Sequence, residues 1–161
     1  MVSNLQLTEA QQGLYYLINR LNRLGITIDG QKKIMKLMFL VEHYNPRTKQ
    51  LNVKGLLGNK FIIYHYGVFS FDVRNDYFRL DELGLVTESP TIGTKNKIVG
   101  KYVNLDEKTK YRIDKIIKDF GTKRAWQLEE STLEMLGYNK QTKTDVFGVP
   151  VTHLMKATST T

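Results

Sequence analysis

The 161-residue sequence has no cysteine and only one tryptophan, three prolines and three histidines. Without a thiol there is no disulfide framework, no cysteine nucleophile and no thiolate zinc site, so zinc-finger modes of nucleic-acid binding go too. His43, His65 and His153 stand alone, without the H-E-x-x-H spacing that would aim two rings at one metal, and Glu42 points away from its helical neighbour His43. His65, read on a strand, is expected to be packed or hydrogen-bonded and not a base. Gly55 and Gly58 lack the G-K-(S/T) of a phosphate loop, and no G-x-S-x-G elbow occurs. No catalytic residue, metal ligand or cofactor is therefore expected, and the chain reads as a non-enzyme. Long apolar runs are missing as well. The strongest, residues 34–41 and 61–66, fall far short of the roughly 20 residues of a membrane span. The first twelve residues carry no basic start followed by an apolar stretch, so a cytoplasmic protein without a membrane partner is expected.

What is present is ordinary for a globular chain: 41% hydrophobic and 25% charged residues. No repeat, low-complexity tract or linker divides it, so one domain is expected over residues 1–155, with a frayed tail over 156–161. Leu14, Leu17, Ile18, Leu21 and Leu24 recur at helical spacing over residues 7–24, between Thr8 as N-cap and Gly25. A second helix is predicted over residues 30–44 on Ile34, Leu37, Met38 and Val41, stopped by Asn45-Pro46. Residues 47–60 read as a basic loop with a short helical turn near 53–57. Residues 61–66 alternate and read as a strand ended by Gly67.

Ser70 suits the N-cap of a third helix carrying Val73, Tyr77, Leu80 and Leu83 inward and closing at Gly84. A hairpin follows directly, with strands expected over 85–88 and 97–105 and a turn over 89–96 around Pro90 and Gly93. Two more helices are predicted, from Asp106 to Phe120 on Tyr111, Ile113, Ile116 and Ile117, and from Arg124 to Leu136 on Ala125, Leu128 and Leu133. Residues 146–151 would cover an edge of the core. The fold class is α+β: a winged-helix-like domain of about five helices with a small antiparallel sheet of one strand plus a wing hairpin.

A helix ending in Leu80, Gly84, Leu85 and Val86 places glycine at the left-handed helix end and starts the sheet with two apolar residues, as a helix entering a wing requires. With KKIMKLMFLVEHY (residues 32–44), FIIYHYGVFSFDV (61–73) and LDELGLV (80–86), the chain resembles the YwgA-like proteins and the related Panacea domains. Those families show a K-L-x-K-L-x-Y-L helix, an aromatic strand, Y-G-P-(F/Y)-S and a helix ending in G-L-(I/V). The resemblance covers about residues 31–105, continues more weakly into the following helices, and departs at Val68, where the families usually have proline, which removes one fixed dihedral. It implies a winged-helix-like α+β fold, and it splits function between DNA binding and partner binding, since Panacea members are often antitoxins and one relative is a proteolysis adaptor.

The formal charge of +8 attracts polyanions. Two stretches concentrate it: residues 31–60 hold seven Lys or Arg against Glu42 alone, and residues 94–124 hold ten against four acids, so each carries +6. Folded together they would form one basic face; lysine stems covering apolar neighbours would account for the same residues. The leading reading is a dimeric transcriptional regulator on double-stranded DNA. Its third helix would enter the major groove with Arg74, Asn75 and Arg79, while Lys95, Lys97 and Lys101 sit on the wing and Lys33 and Lys54 come from the first basic stretch. Asp72, Asp76, Asp81 and Glu82 oppose this unless they cap the helix or pair with its arginines. The alternative is an antitoxin or adaptor that binds a protein partner. Tyr64, Tyr66, Phe69, Phe71, Tyr77 and Phe78, with Trp126, Tyr15 and Tyr16, are expected mainly in the core; any left exposed would anchor a partner or a dimer.

Overall fold

In the computed structural model, which describes residues 6–95 and 102–159, six helices surround one continuous apolar core and carry three short antiparallel hairpins. The chain is α+β. No helix among the described residues is long and apolar enough to cross a membrane.

Helix α1 (Glu9–Arg23) starts where its cap residue stands: the Thr8 side chain accepts from the Gln11 N–H at 3.1 Å, and the Gln11 side chain accepts from the Thr8 N–H at 3.0 Å. Leu14, Leu17, Ile18 and Leu21 are buried against α3 (Phe71–Glu82) and α4 (Glu107–Phe120), while Leu24 is exposed past the helix end. Helix α2 (Gln31–His43) is the centre of the molecule, buried on every side from Lys33 onward. It packs on α4, on α5 (Ala125–Met135) and on the strand Gly67–Phe69. All-round burial places polar groups inside, each of which needs a partner. Glu42 takes three: its carboxylate accepts from the backbone N–H groups of Leu57, Gly58 and Asn59 at 2.7, 2.9 and 3.0 Å. The His43 Nδ1–H donates to the Asn52 carbonyl at 2.9 Å, and burial pushes this imidazole below its ordinary pKa.

The predicted loop over 47–60 is partly a hairpin. Strands β1 (Tyr44–Asn45) and β2 (Gln50–Leu51) pair Tyr44 with Leu51, and the Asn45 side chain accepts from the Arg47 N–H at 2.9 Å inside the turn. Residues 53–59 form no helical turn. They wrap the Glu42 carboxylate, and Gly55 allows the approach: a β-carbon there would collide with Glu42 Oε2.

The single predicted strand over 61–66 is also a hairpin. Strand β3 (Ile62–Tyr64) turns through His65 and Tyr66 into β4 (Gly67–Phe69), with Ile62 opposite Phe69 and Ile63 opposite Val68. Gly67, at φ 87°, opens the second strand instead of ending the first. The other side of β3 is taken by the C-terminal segment: the Ile63 N–H donates to Val149, the Gly148 N–H to Ile63 and the Val151 N–H to Phe61. Residues 148–151 thus cover a core edge as expected.

Helix α3 obeys its sequence signals. The Ser70 hydroxyl accepts from the Val73 N–H at 3.2 Å, Val73, Tyr77 and Leu80 are buried, and Gly84 at φ 73° lets the Leu85 N–H donate to the Leu80 carbonyl. Strands β5 (Val86–Thr87) and β6 (Gly93–Thr94) follow. Of the return strand expected over 97–105, residues 97–101 lie outside the described residues; β6 lies inside the predicted turn, and residues 102–105 are not strand. Asparagines of α1 explain the position: the Thr94 N–H donates to Asn22 Oδ1 at 2.9 Å, and Asn19 Nδ2 donates to the Thr94 hydroxyl at 2.8 Å. A β-carbon at Gly93 would stand 2.8 Å from Asn22 Oδ1.

Asp106 caps α4 by accepting from the Thr109 N–H at 2.7 Å, and Ile113, Ile116, Ile117 and Phe120 are buried. Tyr111, expected inward, is exposed. Helix α6 (Val151–Ser159) continues where a frayed tail was expected from residue 156, with Val151, Leu154 and Met155 buried.

Candidate interaction surface

The aromatic residues around β3, β4 and α3 do not all enter the core. Tyr77 does, with its hydroxyl donating to Glu88 at 2.9 Å. The others form a surface group instead: Tyr64 and Phe69 are half-buried, and Tyr66, Phe71 and Phe78 keep 54, 40 and 49% of their surface exposed. Phe147, which the sequence reading did not single out, joins them at 49% exposure.

Ring geometry makes these residues one unit. Tyr64 lies between Phe69 and Phe147, stacked on both with centroids 5.0 and 5.3 Å away, and Phe71 meets Phe69 and Tyr64 edge-on. The Arg74 guanidinium extends the group along α3, 4.8 Å above Phe71 and 5.9 Å from both Phe69 and Phe78. No carboxylate pairs with it among the described residues, and its Nε is buried without a hydrogen-bond partner. At the turn, Lys32 Nζ stands 3.4 Å over the Tyr66 ring, and the exposed His65 leans on Tyr64 and Phe147.

The hairpin that displays these rings is held from beneath by buried charge. Lys143 Nζ donates to the Glu129 carboxylate and to the His65 carbonyl, both at 2.8 Å, and Lys36 Nζ reaches the Val68 carbonyl at 3.5 Å. Burial lowers the Lys36 ammonium to about 8 despite the opposing pull of Glu129. Phe147 is set by the bonds of Gly148 and Val149 to Ile63. The rings therefore rest on a fixed frame.

The eight residues assigned to DNA do not form one exposed set. Arg74, Asn75 and Arg79 share α3, but Arg74 is folded onto the rings and Arg79 stands 3.7 Å from Glu82; Asn75 is open. Lys33 is buried on α2, its pKa lowered by that burial, in a groove with Glu88 and Ile92. Lys54 is exposed in the loop over Glu42, and Lys95 is exposed after β6. Lys97 and Lys101 lie outside the described residues. Three of the four opposing acids are engaged: Glu82 by Arg79, Asp72 by the Lys60 N–H at 2.9 Å and Asp76 by the Gln11 side chain at 3.3 Å. No cluster of three His, Asp or Glu suited to a metal occurs among the described residues.

One sequence signal for the surface existed. Phe71, Arg74 and Phe78 sit at i, i+3 and i+7, a second stripe on α3 opposite Val73, Tyr77 and Leu80. Phe147 had none, because its stacking on Tyr64, 83 residues earlier, is made by folding alone. Comparison with known protein families, with curated proteins and with solved structures gives no match.

Proposed function

We propose that this protein is a partner-recognition module, and that the aromatic group with Arg74 binds a protein segment presenting apolar side chains around a carboxylate. The carrying observation is the unpaired Arg74 guanidinium held among half-exposed rings. Aromatic residues and arginine are the side chains that dominate protein interfaces, and large rigid rings lose little entropy when covered. The net charge of +8 favours an acidic partner. The resemblance to YwgA-like and Panacea proteins, with their antitoxin and adaptor members, supports the same reading. The succession of α3 and the β5–β6 hairpin supports a winged-helix arrangement of this part of the chain.

A second reading, duplex DNA recognition by a transcriptional regulator, rests on the +8 charge and on exposed Asn75, Arg79 and Lys95. It is weaker on α3, where the stripe that would face the groove bears Phe71 and Phe78.

The test uses synthetic peptides with two apolar residues flanking either Asp or Asn. Wild type should prefer Asp, Arg74→Gln should lose that preference, and Phe78→Ser should lose binding altogether. Equal binding of Asp and Asn peptides by wild type and Arg74→Gln would overturn the proposal. Salt-dependent duplex binding lost in Arg79→Gln, with no peptide binding, would establish the second reading in its place. Self-association abolished by Phe78→Ser would make a second copy the occupant.

A further inference from the structure

The two basic stretches of the sequence meet at a place that neither reading above uses. An open groove of about 500 Å³ between α4 and the β1–β2 turn is lined by Asn45, Pro46, Arg47, Leu56, Lys108, Tyr111, Arg112 and Lys115. Four of these are cations and none is an acid. Arg47 belongs to the first stretch, the others to the second.

The arrangement follows from helix geometry. Lys108, Tyr111, Arg112 and Lys115 stand at i, i+3, i+4 and i+7, one stripe of α4, and Ile113, Ile116, Ile117 and Phe120 form the buried stripe opposite. The acids of α4 are turned to other work: Glu107 lies 3.7 Å from Lys110, and Asp114 accepts from Arg20 and from the Tyr16 hydroxyl. Asp119 pairs with Lys115 at 3.6 Å from outside the groove. Arg112 Nη1 donates to the Val41 carbonyl at 3.2 Å, which fixes its side chain at the wall. Arg47 is placed by the Asn45 side chain, and neither it nor Lys108 has a carboxylate within ion-pair distance among the described residues. Tyr111, 67% exposed, has no ring partner among the described residues.

Cations without counter-charge along a groove attract a phosphate backbone, and a bare ring beside them offers a face for stacking. A base inside a duplex has both faces covered, so such a ring selects unpaired bases. We propose that this groove binds single-stranded nucleic acid, with Arg47 and Lys108 on the phosphates and Tyr111 stacked on a base.

Fluorescence anisotropy with the full chain and a labelled oligothymidylate of about 15 nucleotides tests this, against a duplex of equal length, over about 50 to 200 mM salt. The single strand should bind several-fold more tightly than the duplex. Tyr111→Ala should weaken it about 10-fold without changing the salt slope, and Tyr111→Phe should restore it. Arg47→Gln and Lys108→Gln should each lower the slope by about 0.7, while Arg79→Gln on α3 leaves binding unchanged. All these side chains are exposed, and unchanged thermal unfolding verifies that the variants fold. Absence of binding at the lowest salt, equal affinity for duplex, or full affinity in Tyr111→Ala would each overturn the proposal. None of these outcomes bears on the peptide surface, whose variants are separate.

Discussion

The loop of residues 53–59 and the β3–β4 hairpin follow each other in the chain, and both lean on α2, but they leave opposite things unsatisfied. In the loop the polar groups close on one another: a carboxylate only 1% exposed accepts three consecutive backbone N–H groups, and Gly55 is the residue that lets it in. Of the buried side-chain polar atoms there, Asn59 Nδ2 alone lacks a hydrogen-bond partner among the described residues. In the hairpin the backbone is equally well held, by Lys143, Lys36 and the 148–151 segment, yet the side chains on top are half-exposed rings around an unpaired guanidinium. The contrast separates two uses of a buried charge. Glu42 stabilises its own loop, whereas the Glu129–Lys143 pair holds a platform for outward-facing rings, with Lys36 buried beneath it at a cost.

The largest effect should come from the closed side. Glu42→Ala removes the acceptor of three N–H groups at once, and charge-assisted bonds to buried donors are costly to lose, so urea unfolding should show a loss of about 3 kcal/mol. Glu42→Gln keeps one acceptor oxygen and should lose about half as much. If Glu42→Ala proved neutral, the loop would not be organised by this carboxylate and the contrast would fail.

An opposite sign is expected beneath the hairpin. Lys36 is charged in a buried site with a single long bond to Val68, and Glu129 keeps Lys143 when Lys36 is removed. Its folded-state pKa, about 8, is depressed from about 10.4 in the unfolded chain. Below pH 8 both states hold the proton and the folded state bears the full cost of burial. Between the two values the folded state sheds its proton first, so the cost fades as pH rises. Lys36→Met should therefore stabilise by about 1 to 2 kcal/mol near pH 7. That advantage should shrink steadily in unfolding measured from pH 8 to 10.5 and vanish above it.

Which parts of this were readable beforehand follows from the range of the interactions involved. Thr8, Ser70 and Asp106 cap helices within three residues of themselves, and Gly84 ends α3 by letting the Leu85 N–H reach the Leu80 carbonyl, so these boundaries stand where sequence placed them. The hairpins escaped because their determinants are distant or unmarked. His65-Tyr66 carries no turn residue except the following Gly67, and β6 is positioned by Asn19 and Asn22, more than 70 residues earlier. Periodicity also counts apolar residues without saying which stripe is buried. Tyr111 fitted an inward series and lies on the basic stripe, while Phe71 and Phe78 fitted a core and lie opposite it. The expectation that two basic stretches would share a face holds in part, at Arg47 with Lys108, Arg112 and Lys115; Lys33 is buried elsewhere.

The smallest change in stability should accompany the largest change in recognition. Phe147 is half-exposed, stacked on Tyr64 and close to His65, and its backbone is anchored by neighbours and not by the ring. Phe147→Ser therefore gives up one exposed stacking contact, about 0.5 to 1 kcal/mol, with no change in the β3 bonds of residues 148–151. If the rings serve folding, peptide binding should fall only in proportion to the unfolded fraction, which is negligible for so small a loss. If they serve a partner, titration with the Asp-bearing peptide should show affinity falling at least 10-fold while the urea midpoint barely moves, as happens when an interface anchor is truncated. Glu42→Gln gives the converse case, with a lowered midpoint and unchanged affinity per folded molecule. A Phe147→Ser protein that lost stability heavily and kept its peptide affinity would assign the aromatic face to the core after all.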